Sequence, residues 1–152
     1  MYYAIVGLLM FALPLLSVVI EVLLSSQPVT PLIGKWYVFW AVGVRLLLAG
    51  LRQVAQPQYT ARVILGLKSD DSLLVVRELG FANVAFGVAG LLSLHFSTWC
   101  IPVALAGGIF YGLAGVNHTL QSHRGKLENI AMVSDIFAAL VLLGFCASVL
   151  VS

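Results

Sequence analysis

LLVVRELGFANVAFGVAGLLSL, residues Leu73–Leu94, decides how the rest of the chain is read. It has the length of a membrane span, about 20 mostly apolar residues. Yet it carries Arg77, Glu78 and Asn83, which lipid tails do not solvate. At about 100° per residue, two stripes of small residues emerge. Gly80, Gly87 and Gly90 share one narrow arc with Asn83, while Glu78, Ala82, Ala85 and Ala89 share another, roughly opposite. Small residues let neighbouring backbones approach, the main packing device where lipid is as apolar as leucine. A helix small on two sides predicts neighbours on both, hence a central place in a bundle.

The bulk composition agrees with a membrane setting. Of 152 residues, 61% are hydrophobic and only 9% charged, against about 25% charged in an average soluble domain. A soluble chain of this kind would expose large apolar patches. The expectation is one all-α integral membrane bundle filling residues 1–152, with the lipid bilayer as its first partner. A net charge of +2 is too small to argue for nucleic-acid binding. Cys100 and Cys146 form no metal motif; buried thiols in a span are expected to act as small hydrophobes. Met1-Tyr2-Tyr3 lacks the basic start of a cleaved signal.

Working outward, five spans are expected at about 3–24, 36–55, 73–94, 99–121 and 127–150. Pro14 interrupts the first and should kink it. Glu21, in its last turn, is expected to reach the interface or to pair with Lys35. Ser25–Gly34 reads as a proline-broken loop, and Lys35-Trp36-Tyr37 as an interfacial anchor. The stretch at about 58–67 is too short to cross and reads as an interfacial helix with Tyr59, Val63, Ile64 and Leu67 on one side. Ala104, Gly108, Gly112 and Gly115 line one face of the fourth span, and His123-Arg124-Gly125-Lys126 is a basic turn. Arg52, Arg62, Lys68, Arg77, Arg124 and Lys126 then fall on one side and Lys35 alone on the other. The positive-inside rule places the N-terminus in the cytoplasm and the C-terminus outside.

Depth along each helix, at about 1.5 Å per residue, brings polar residues from four spans to one slab of the inner leaflet. These are Arg45 and Arg52, then Arg77, Glu78 and Asn83, then Asn117 and His118, then Asp135. Two readings stand side by side. The cluster is a network of ion pairs that sets helix register, or it is a cytoplasm-facing site with His118 titrating beside a carboxylate. Metal ligation by Glu78, His118 and Asp135 is disfavoured, because no two of these share a helix at ligand spacing.

Arg45, Pro57, then Arg77-Glu78-Leu79-Gly80 with a glycine-rich continuation to Gly90-Leu91 resemble the DoxX-like membrane proteins. The segments Arg77–Asn83 and Gly112–His118 look closer still to small bacterial relatives of that group. The resemblance covers about Phe39–Leu143 and implies a four-helix core made of spans two to five, with the first span additional. It also implies a bacterial inner membrane and a redox role touching quinones or thiosulfate, with Arg45, Glu78, Asn83 and His118 as the positions carried over.

Three functions follow as expectations. One is a redox-associated protein binding a quinone headgroup, walled by Phe81, Phe86 or Tyr111. Another is an assembly subunit docking a copy of itself or another membrane protein through the glycine faces at Gly80, Gly87, Gly90, Gly108, Gly112 and Gly115. The third is a small transporter or ion path, weakened by the lack of paired broken helices.

Overall fold

The computed structural model describes residues 2–122 and 125–151, so His123 and Arg124 of the basic turn lie outside the described residues. Within them the chain is helical, with no strand. The elements in order are α1 (Tyr3–Leu24), α2 (Val29–Ala55), the short α3 (Tyr59–Ile64), α4 (Asp71–Leu92), α5 (Ser97–Leu120) and α6 (Lys126–Val151). All but α3 are long and apolar enough to cross a membrane, as the hydropathy pattern predicts. One boundary differs: α2 begins at Val29, inside the stretch expected to be a loop. Pro31 falls in its first turn, where a missing N–H costs no helical hydrogen bond.

Two of the long helices contain a widened turn. In α1 it spans Leu8–Ala12, just before Pro14, and the Leu13 N–H reaches back to the Leu8 carbonyl. This is the distortion that Pro14 requires. In α2 it spans Val38–Val44 and ends against Arg45. Widened turns loosen the regular backbone ladder, and the Tyr111 hydroxyl from α5 donates to the Ala41 carbonyl within this one.

Glycine decides which helices meet. Along the antiparallel α2–α4 seam, Gly43 faces Gly90, Leu47 faces Gly87, and Gly50 faces Gly80 and Val84. A Cβ placed on Gly50 would sit 2.7 Å from the Gly80 carbonyl oxygen, so the backbones themselves are in contact. The α5–α6 seam is looser. Gly108 meets Leu142 and Leu143 and Gly115 meets Ile136, but a Cβ at Gly112 would find only an ordinary contact with Ala139. Phe11 against Phe137, with ring centroids 4.5 Å apart, joins α1 to α6.

The seam corrects the expected centre of the bundle. Gly80, Asn83, Gly87 and Gly90 are buried, but Glu78, Ala82 and Ala85 on the opposite stripe are exposed and Ala89 is half-buried. Helix α4 is held on one side. The central element is α2, which packs on α1, α4, α5 and α6. A stripe of small residues permits close approach without supplying the neighbour.

Helix α3 also departs from expectation. It is shorter than 58–67, and its wide winding buries Thr60 and Ala61 while Val63 and Leu67 are exposed. Gly66, at φ +66°, turns the chain out of it, a conformation suited to glycine.

Candidate functional site

At the end of the bundle where α2 and α5 finish and α4 and α6 begin, the helices separate around a cavity of about 390 Å³. Every long helix and α3 contribute to its wall. Ile5 and Val6 come from α1, Arg45, Ala49, Arg52 and Gln53 from α2, and Tyr59 and Thr60 from α3. Leu79 and Asn83 come from α4, Phe110, Tyr111, Ala114 and His118 from α5, and Ala131 and Asp135 from α6. The volume lies within the range of small-molecule sites, about 300–1,000 Å³.

The charged groups on this wall are held in place. Arg45 Nη2 donates to Asp135 Oδ1 at 2.9 Å and to Ser134 Oγ at 3.2 Å, and its guanidinium lies 5.0 Å from the Tyr111 ring centroid. A guanidinium this deep demands an acceptor, and α6 supplies one. Arg52 stacks on Tyr59, 3.4 Å from the ring centroid, a cation–π contact that ties α2 to α3. His118 Nδ1 lies 3.1 Å from Glu128 Oε1, with Glu128 only 2% exposed. Asn83 Nδ2 donates to Gln53 Oε1 at 2.7 Å across the glycine seam.

Residues 4–149 match the model of DUF6790, a family of unknown function. The chain belongs to DUF6790. No curated protein and no solved structure matches it. The DUF6790 match takes in all but the outermost residues of α1 and α6, so the whole cavity wall lies inside the matched stretch.

Of the polar residues expected to converge, the DUF6790 fold brings five to the cavity: Arg45, Arg52, Asn83, His118 and Asp135. Arg77, Glu78 and Asn117 stand outside it, all three exposed. They point away from the cavity around their helix axes. Asn117 and His118 are adjacent, so about 100° separates them, enough to send one outward and the other into the wall. Glu78 therefore does not join His118 and Asp135, and among the described residues no group of three potential metal ligands is gathered. Of the three aromatics proposed as wall, Tyr111 lines the cavity. Phe86 packs on Phe110 at 5.7 Å between centroids, and Phe81 is exposed.

Three polar partners were not among the expected site residues. Gln53 follows Leu46 and Gly50 at helical spacing, and all three are buried, so the buried face of α2 pointed to it. Glu128 lies a heptad before Asp135, on the same face of α6. Ser134, only 1% exposed, carries no charge and gave no signal beyond its neighbour.

Proposed function

We propose that this DUF6790 chain is a multi-pass inner-membrane protein whose cavity binds a lipid-soluble, oxygen-bearing ring of the quinone class. The observation that carries the reading is a single cavity walled by all five crossing helices, apolar along most of its surface, with Arg45 and Arg52 on it. An apolar slot admits the ring, and guanidinium N–H groups are the donors that ring oxygens accept. The glycine stripes, by contrast, are largely spent inside the chain, on the α2–α4 and α5–α6 seams. That favours a ligand-binding role over docking through those faces.

The DoxX-like description of a core formed by α2, α4, α5 and α6 belongs to the same proposal. So does its orientation. Arg52, Arg62, Lys68, Arg77 and Lys126 at the cavity end, against Lys35 at the other, support a cytoplasmic cavity end by the positive-inside rule.

The test is to fill the cavity from its wall. Purified protein in mild detergent is titrated with a decyl-chain benzoquinone, bound ligand being measured by equilibrium dialysis. Ala114→Phe, on the wall, should weaken binding at least tenfold while helicity and monodispersity persist. Wild-type protein that binds no quinone-class ligand, or a variant that binds as well as wild type, removes the proposal.

A further inference from the structure

The two arginines of the cavity wall are not equivalent. Arg45 is paired with Asp135 at 2.9 Å, the carboxylate among the wall residues. Glu128, behind the wall, is engaged with His118. Arg52 has neither a carboxylate nor a hydrogen-bond acceptor among the described residues; its contact is the Tyr59 ring, 3.4 Å from the guanidinium carbon. Stacking uses the face of a guanidinium and leaves its in-plane N–H groups for an acceptor. With two guanidiniums and one carboxylate on it, the wall carries a positive charge that its own residues do not balance.

The residues beside this stack add unused donors. Gln53 follows Arg52 and Thr60 follows Tyr59, so the contact that joins α2 to α3 brings all four to one corner of the cavity. Gln53 and Thr60 are 7% and 8% exposed. Gln53 Oε1 is taken by Asn83 Nδ2, which leaves the Gln53 amide N–H groups, and the Thr60 hydroxyl has no partner among the described residues. Among those residues Asn83 Oδ1 is the fully buried side-chain polar atom without a partner, so Gln53 Nε2 and Thr60 Oγ1 keep accessible surface. The cavity is what their side chains line. Donors this far from bulk water are costly until an acceptor reaches them.

An ionised acid group is the acceptor that fits. Its oxygens take two parallel bonds from a guanidinium fork and bring the negative charge that Arg52 lacks. A neutral ring carbonyl accepts from the same donors but leaves the charge unbalanced.

We infer that the α2–α3 corner is a subsite for an ionised acid group, paired with Arg52 and accepting from Gln53 and Thr60, so that the quinone-class ligand carries a carboxylate or phosphate beside its ring oxygens. The inference rests on the quinone-class reading above for the ring, which keeps Arg45 as its donor, and adds the charged group.

The full chain in non-ionic detergent is titrated anaerobically, by equilibrium dialysis, with a decyl hydroquinone carrying one ring carboxylate, the methyl ester of that acid, the decyl benzoquinone and dodecyl phosphate. The acid should bind about tenfold more tightly than its ester, since charge-assisted bidentate hydrogen bonds are the stronger class. Arg52→Gln should bring the acid-to-ester ratio close to one while the ester binds as it does to wild type. Thr60→Val, which keeps the side-chain shape, should lower the ratio about threefold. If Arg52→Gln does not fold, the wild-type ratio and Thr60→Val decide.

Equal affinity for acid and ester means that Arg52 is satisfied by water; it overturns the inference and leaves the ring reading intact. A preference for the acid that survives Arg52→Gln also overturns it. Binding of dodecyl phosphate in place of every ring compound, lost in Arg52→Gln, keeps the acid subsite, gives it to a lipid headgroup and removes the ring reading. Binding of none of these ligands overturns both.

Discussion

Two recesses of similar size sit at opposite ends of this bundle, and they behave differently. The one described above holds about 390 Å³. The other, about 350 Å³, lies between α1 and α2 and is lined by Ser17, Ile20, Glu21, Leu24, Lys35 and Trp36. In the second, Glu21 accepts from Lys35 Nζ at 2.7 and 2.8 Å and from Trp36 Nε1 at 2.6 Å. One turn deeper, Trp40 Nε1 donates to Ser17 Oγ at 3.0 Å. These bonds join two consecutive helices beside the interface, and both Glu21 carboxylate oxygens are bonded. The first recess is walled by all five long helices, and its polar lining is drawn from residues far apart in sequence: Arg45, Asn83, His118 and Asp135. Volume alone therefore does not mark a site; the number of helices that bring polar side chains to one wall does.

The comparison can be broken most directly at the Arg45–Asp135 pair, whose side chains are 12% and 9% exposed. Asp135→Ala should cost about 3–5 kcal/mol, because it strands a buried guanidinium. A large fall in the detergent unfolding midpoint would register this. Replacing both partners together, Arg45→Met with Asp135→Leu, should recover most of that loss, since buried ion pairs barely exceed well-packed apolar substitutes. Next in size is Glu128→Ala, which deprives His118 of its carboxylate; about 1–3 kcal/mol is expected by the same assay.

Smallest is Glu21→Ala at the other recess. Lys35 is 38% exposed there and regains water when its partner goes, so about 1 kcal/mol or less should be lost. If Glu21→Ala proved as damaging as Asp135→Ala, the two ends would have to be regarded as equivalent structural ties. Of the two outcomes the sequence leaves open for Glu21, reaching the interface or pairing with Lys35, the structure shows the pair.

How far the site could be read in advance is clearest on α4 and α5. Depth transfers well from sequence, because the rise per residue is constant at about 1.5 Å. Arg45, Asn83, His118 and Asp135 accordingly share one cavity. Direction does not transfer, because it depends on where neighbours lie. Glu78 and Asn83 sit five residues apart on the same helix, yet one is exposed and the other buried. The widened turns add a further rotation that regular periodicity does not contain: in α3 the buried residues became Thr60 and Ala61.

By itself the chain's order of residues determined five helices long and apolar enough to cross a membrane, the distorted turn before Pro14, the small-residue arc of α4 and the spacing of its ionisable groups along each helix. Those properties are local or periodic, carried by hydropathy, backbone chemistry and a fixed helical rise. Only the tertiary structure decided that α2 rather than α4 is central, that Gln53 joins the polar wall, and that Glu128 stands behind His118. Such facts depend on how rigid helices are rotated against one another, and that rotation is set by packing summed over all five.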